Sequence, residues 1–175
     1  MNARLKLEFP PEWDAIQTAW DPCMAHLSNH GLDADVAYAL CMVTQELLEN
    51  AVKYGVFTPE QTIRCSVSPD RETVTIEVRT PLDGNLDRLR RLDEMIQWIR
   101  GFQNPFEAYV ERLKVASAQP YTSTESGLGL VRVAYEGQCI LDFYIDESNV
   151  LAMSAVYRPP AGLPPKSHGD PRDLH

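Results

Sequence analysis

The stretch Gln45-Glu46-Leu47-Leu48-Glu49-Asn50-Ala51-Val52-Lys53-Tyr54-Gly55 ends the strongest helical pattern in the chain. Apolar residues recur there at intervals of three and four, which predicts a helix over residues 34–54. At about 100° per residue, Glu46, Asn50 and Lys53 fall within an arc of roughly 60° beside the buried stripe. One edge of this helix therefore offers a carboxylate, an amide and an ammonium group together. The alternative is that these three residues form only the polar border of an amphipathic helix.

The fold class follows from the elements on either side of this helix. Further helices are predicted over 11–20, from Asp21 up to Gly31, and over 86–100, 105–115 and 130–135. Alternating apolar residues predict a first strand over 5–9 and two antiparallel hairpins. One hairpin joins 63–67 with 73–79, and the other joins 138–145 with 149–157. Such alternation suits a sheet that is covered on one side only. We therefore expect an α/β (α+β) two-layer sandwich, with a mixed, mainly antiparallel sheet and helices on one face.

A second stretch with binding chemistry is Thr122-Ser123-Thr124-Glu125-Ser126-Gly127-Leu128-Gly129-Leu130, which leads through two glycines into a helix. Glycine lets backbone amides approach a ligand closely. A helix N-terminus also favours phosphate through its unpaired N–H groups and its dipole. Many helices begin in this way without binding a ligand. The stretch therefore indicates a binding site only in combination with the polar edge of the helix over 34–54.

Charge and hydropathy exclude several classes of protein. The 175 residues contain 16 Lys and Arg against 25 Asp and Glu, which gives a formal charge of −9. This balance argues against general nucleic-acid binding, which needs clustered basic residues. The apolar runs are far shorter than the roughly 20 residues that cross a bilayer, and residues 1–9 do not resemble a signal peptide. We expect a cytoplasmic protein without a membrane or nucleic-acid partner.

Together and in this order, these motifs resemble a known family. Glu46-x-x-x-Asn50-Ala51-x-Lys53-Tyr54-Gly55 resembles the N-box of the GHKL ATPases, which have the Bergerat fold of histidine kinase ATPase domains. Gly127-Leu128-Gly129-Leu130 resembles the glycine box that ends their ATP lid. In size and motif form the chain is most similar to stand-alone anti-sigma-factor serine kinases and to their relatives that phosphorylate STAS-domain partners.

The resemblance implies roles for individual residues. Asn50 would bind the Mg²⁺ that bridges the phosphates of ATP, and Lys53 would lie near those phosphates. Glu46 would act as general base or orient the attacking hydroxyl. The backbone around Gly127, Leu128 and Gly129 would hold phosphate oxygens.

The chain departs from the family pattern at the adenine-binding box. The family has Asp-x-Gly-x-Gly directly after the second hairpin strand, whereas this chain has Thr80-Pro81-Leu82-Asp83-Gly84-Asn85. Thr80 stands where the aspartate would align, and Asp83-Gly84 comes about three residues late. Either a rearranged loop brings Asp83 and Gly84 to the nucleotide, or adenine recognition is weakened or lost.

The function implied is an ATP-dependent serine/threonine protein kinase, or anti-sigma-factor-like regulator, in bacterial partner switching. Its partner would be a small STAS-domain protein or a sigma factor, and a homodimer is a further possibility. The alternative is a non-catalytic module with a degenerate nucleotide pocket that sequesters its partner. We expect one domain over 1–157, with a helical insertion at 86–117 and a lid loop at 118–129, and a disordered proline-rich tail at 158–175.

Overall fold

The computed structural model describes residues 4–118 and 127–160, so most of the predicted lid loop and tail lies outside the described residues. Within these ranges the chain forms five strands: β1 (Leu5–Phe9), β2 (Ile63–Pro69), β3 (Val74–Pro81), β4 (Cys139–Ile145) and β5 (Val150–Tyr157). It also forms six helices: α1 (Trp13–Gln17), α2 (Trp20–Asn29), α3 (Ala34–Tyr54), α4 (Leu86–Arg100), α5 (Pro105–Ala118) and α6 (Leu128–Tyr135).

The strands form one sheet in the order β1-β2-β3-β5-β4. Each neighbouring pair of described strands is antiparallel. Ile76 in the central strand β3, for example, lies opposite Val67 on one side and Ala155 on the other. The predicted two-layer α+β architecture is confirmed.

The two faces of the sheet differ because the strands alternate in polarity. Alternate residues from Ile63 to Val67 and from Val74 to Val78 are buried against the helices, chiefly α3. On the opposite face Arg79 donates to the hydroxyl of Tyr144 (2.7 Å) and forms an ion pair with Asp146. The helices therefore cover one face, and the other face carries polar groups.

Helix α3 crosses the covered face and carries the predicted polar edge. Its buried stripe, which includes Leu40, Val43 and Leu47, packs on the sheet and fixes the helix rotation. At its end, a side chain at Gly55 would lie 2.5 Å from Cγ2 of Thr80 and 2.6 Å from the carbonyl oxygen of Ala51. Glycine at this position thus allows the end of α3 to approach β3 closely.

Several local predictions were wrong in their boundaries, and β2 and α5 continue to Pro69 and Ala118, beyond the expected ends at 67 and 115. The helix expected over 11–20 divides into α1 and the start of α2. Strand β3 continues through Thr80 to Pro81, where a turn was expected. The pairing of β2 with β3 ends at Arg79, so Pro81 needs no N–H on that side and is tolerated at the strand end. Helix α6 begins at Leu128, two residues earlier than expected.

No helix in the described ranges 4–118 and 127–160 combines the length and apolar character needed to cross a membrane.

Candidate functional site

A cavity of about 850 Å³ lies at the C-terminal half of α3, and the two predicted motifs meet there. Glu46, Asn50 and Lys53 line it from α3, and Gly127 and Gly129 line it from the start of α6. The fold thus brings together two motifs that are about eighty positions apart in the sequence.

The remaining predicted residues do not line this cavity. Asp83 and Gly84 lie in the loop after β3, where the Asp83 carboxylate accepts a hydrogen bond from the backbone N–H of Asn85 (2.9 Å). The loop is tied to the β4–β5 turn, because the Asn149 side chain donates to the carbonyl oxygen of Leu82 (3.1 Å). Leu128 packs against the core instead. Asp83 is therefore not brought to the cavity by this loop conformation.

The inner wall of the cavity is apolar. Its lining includes Leu47, Ala51, Val78, Leu82, Leu89, Leu92, Met95, Leu130, Leu151 and Met153. Thr80 also lines it and is only 4% exposed, at the position where the sequence alignment expects the aspartate. A flat, largely apolar ring system fits such a wall, with one hydroxyl available for a polar contact.

Asn50 presents a buried polar atom that lacks a partner in the described part of the chain. Its side-chain Nδ2 is buried and has no hydrogen-bond partner among the described residues. A buried amide without a partner costs about 1–3 kcal/mol, which an oxygen of a bound ligand would offset. The donor set also suits Mg²⁺ held jointly with phosphate, because amide oxygens are ligands that Mg²⁺ accepts alongside phosphates and water. Within the described residues, no cluster of three or more His, Cys, Asp or Glu offers an all-protein metal site.

Glu46 is half-buried between the two motifs. A Cβ atom at Gly129 would lie 2.5 Å from its Oε2, so only glycine leaves room for the carboxylate there. Its Oε1 accepts a hydrogen bond from Arg132 Nη1 at 2.6 Å. Burial raises the pKa of Glu46, and the nearby Glu49 and Glu136 raise it further, while Arg132 lowers it. The pKa remains above its ordinary value, which favours proton acceptance by a carboxylate near neutral pH.

Gly127 is the N-cap of α6 and adopts a left-handed conformation (φ 63°), which glycine reaches without strain. A Cβ atom here would lie 2.5 Å from Nη2 and 2.6 Å from Nε of Arg112 on α5. The Arg112 guanidinium therefore lies directly on the glycine turn.

Basic residues that the motifs did not indicate also line the cavity. They are Arg88 and Arg91 on α4 and Arg112 on α5. Arg88 donates from Nη1 to the carbonyl oxygen of Tyr54, the last residue of α3 (3.0 Å). Sequence analysis missed them because residues 83–114 contain equal numbers of acidic and basic side chains, and periodicity does not identify which of these face a cavity.

A second, smaller cavity of about 420 Å³ adjoins the first, and the two share Glu46 and Glu49. Its other lining residues are Trp20, Tyr38, Ala39, Met42, Gln45, Arg132 and Glu136. Tyr38 is 62% exposed and packs edge-to-face on Trp20. Glu46 is thus accessible from two directions.

Comparison with known proteins shows a likeness in structure. No family model matches the chain, and no curated protein matches it. A chain of the crystal structure of the SiaB-SiaC complex from Pseudomonas aeruginosa is similar, with a TM-score of 0.67 and 18% sequence identity. The match covers 87% of this chain and 88% of that chain. At this identity the likeness shows that the two chains share a fold.

Proposed function

We propose that this chain is an ATP-dependent serine/threonine protein kinase of the GHKL type that binds and regulates a small partner protein. The observation that carries the proposal is the convergence of Glu46, Asn50, Lys53, Gly127 and Gly129 on one cavity. Motifs recognised by resemblance alone need not meet in space, and here they do.

The charges of the cavity favour an anionic ligand. Four basic side chains line it (Lys53, Arg88, Arg91 and Arg112), against the two carboxylates of Glu46 and Glu49. This local excess of positive charge occurs in a chain with a formal charge of −9. The apolar wall with Thr80 would take the adenine ring, and the basic end would take the phosphates.

In the proposed reaction Glu46 accepts the proton of a partner's hydroxyl group. The hydroxyl oxygen then forms a bond to the γ-phosphorus of ATP, while the bond from that phosphorus to the leaving ADP oxygen breaks. Asn50 would hold Mg²⁺ together with the phosphates, and the ion would neutralise charge there. Phosphoryl transfer depends mainly on positioning and charge neutralisation, so this small set of residues can suffice.

The second cavity gives the partner a route to Glu46. Glu46 lines both cavities, so a nucleotide in the larger cavity would leave the smaller one to the partner. An acceptor side chain that enters beside Tyr38 and Trp20 would meet Glu46 without crossing the nucleotide. The similar fold in a complex of two proteins, SiaB and SiaC, supports partner binding as the context of the activity.

A second candidate function is a non-catalytic module that sequesters its partner. The 2.6 Å hydrogen bond between Arg132 and Glu46 favours it, because a base engaged by a guanidinium is less able to take a proton. Thr80 in place of the expected aspartate favours it as well, since a hydroxyl holds an adenine amino group less firmly than a carboxylate does.

Calorimetry with Mg-ATP separates these candidates. We expect the wild type to bind, and Asn50→Ala to lose the magnesium-dependent part of the affinity. Equal and negligible heats for both proteins would reject nucleotide binding and leave the sequestering module.

Catalysis needs its own test. Glu46→Gln should bind Mg-ATP nearly as well as the wild type and should lose transfer of radiolabelled phosphate to a co-purifying partner. Transfer at the wild-type rate would remove Glu46 from the proposed role.

A further inference from the structure

The basic and acidic residues of α4 and α5 differ in whether they line the large cavity. Residues 83–114 contain six basic and six acidic side chains, so the segment is neutral overall. Three of the basic residues, Arg88, Arg91 and Arg112, line the cavity, and none of the six acidic residues does. Among its charged side chains, this helix pair therefore presents only cations to the cavity.

Arg112 has the most specific position of the three. Its guanidinium lies on the turn at Gly127, where a Cβ atom would approach Nη2 to 2.5 Å and Cζ to 2.8 Å. The same turn begins α6, whose first N–H groups and dipole favour an anion. Asn50, whose buried Nδ2 has no partner among the described residues, lies close by, 3.9 Å from where a Cβ atom of Gly129 would stand. Three independent groups that favour phosphate oxygens are thus present in one cavity.

We propose that α4 and α5 form the cationic wall of an oligophosphate site, in which Arg112 contacts the phosphate that lies beside Gly127. The proposal adds a structural detail to the proposed nucleotide-binding function, and its biological meaning rests on that function. It also gives the helical insertion a role in ligand binding. The planar guanidinium presents a rigid fork of donors that matches two phosphate oxygens, whereas a lysine ammonium acts as a point charge without that fixed geometry.

The matched variants are Arg112→Gln and Lys114→Gln. Each removes one positive charge from α5 and keeps a long polar side chain. Lys114 is exposed, pairs with Glu111 (2.8 Å) and does not line the cavity. The difference between the two variants therefore reports the position of Arg112 and not the charge of the helix.

The probes are Mg-ATP and Mg-tripolyphosphate, both measured by calorimetry on the full chain. Arg112→Gln should weaken both ligands by about 10- to 100-fold, as expected for loss of a charged hydrogen bond. Lys114→Gln should stay within about 3-fold of the wild type, because exposed charges contribute little. Arg112→Lys should recover part of the affinity. Thermal unfolding of each variant verifies that the fold is retained.

The outcomes separate this inference from the proposed function. Equal affinities in Arg112→Gln and Lys114→Gln overturn the inference, even if the wild type binds ATP. Tripolyphosphate binding that depends on Arg112, without binding of ATP, upholds the inference and rejects the nucleotide function. A wild type that binds neither ligand overturns both.

Discussion

Gly129→Ala should separate folding from catalysis. The new Cβ atom would lie 2.5 Å from Oε2 of Glu46, 3.5 Å from its Cδ and 3.9 Å from Nδ2 of Asn50. Ordinary contact distances begin at about 3.5 Å, so the carboxylate must move by about 1 Å. The end of a glutamate side chain can make this movement, whereas the contact with Asn50 is already an ordinary one.

The expected changes are small in stability and large in phosphoryl transfer. Alanine in place of glycine within a helix contributes up to about 1 kcal/mol, which offsets the disturbed hydrogen bond between Glu46 and Arg132. The free energy of unfolding should therefore stay within about 1 kcal/mol of the wild type. Misplacement of a catalytic group by about 1 Å can reduce a rate by about 100-fold, and we expect a loss of that order in transfer.

Gly137→Ala is the matched control, because its obstruction cannot move away. A Cβ atom there would overlap the side chain of Val43 and would lie 2.6 Å from the carbonyl oxygen of Val133. Since the backbone of α6 is fixed by packing, this variant should lose about 1–3 kcal/mol of stability. It lies away from the cavity, so the folded fraction should still bind Mg-ATP.

Urea denaturation of the three proteins gives the stabilities, and single-turnover transfer from radiolabelled ATP to the co-purifying partner gives the rates. If Gly129→Ala unfolds as easily as Gly137→Ala, the Glu46 carboxylate is held more rigidly than we infer. If it transfers phosphate at the wild-type rate, the position of Glu46 against Gly129 has no catalytic importance.

Two further predictions concern the polar residues of the cavity. Because burial raises the pKa of Glu46 above its ordinary 4.5, folding favours its protonated form, so wild-type stability should fall relative to Glu46→Gln as pH rises from about 4.5 through the raised pKa. Urea midpoints at pH 4.5 and 7 test this, and a difference that is constant or of opposite sign would contradict it. Thr80→Val should weaken Mg-ATP by about 3- to 10-fold, the effect of one neutral hydrogen bond, and leave Mg-tripolyphosphate unchanged in calorimetry. Unaltered ATP affinity would limit Thr80 to packing against Gly55.

The sequence predicts those features that depend on local geometry. Helix α3 has the expected bounds, 34–54, because its apolar period is long and uninterrupted. The shared edge of Glu46, Asn50 and Lys53 follows from helical rotation alone. Their approach to Gly127 depends on the packing of α6 beside α3, which no periodicity reports, and only the family resemblance indicated it.

Other features depended on tertiary contacts and were missed. Strand β3 extends to Pro81 because its pairing with β5 continues to Val150 after the pairing with β2 has ended, and this cannot be read from Thr80-Pro81 itself. The cavity-facing arginines, with Arg112 as the clearest case, are hidden in a segment of balanced charge. Their direction is set by how α4 and α5 pack on α6.

The hydrogen bonds of Arg132 bear on the choice between kinase and sequestering module. Besides Glu46, Arg132 donates to both carboxylate oxygens of Glu136 on its own helix, at 3.2 and 3.3 Å. Release of Glu46 would therefore leave Arg132 with a counter-charge, and the cost of breaking the pair would fall on the less exposed Glu46 carboxylate. Both carboxylates border the smaller cavity, so an incoming partner that shifts Arg132 toward Glu136 would remove the contact that lowers the pKa of Glu46. The ion pair that favours a silent module is thus also one whose opening would strengthen Glu46 as a proton acceptor.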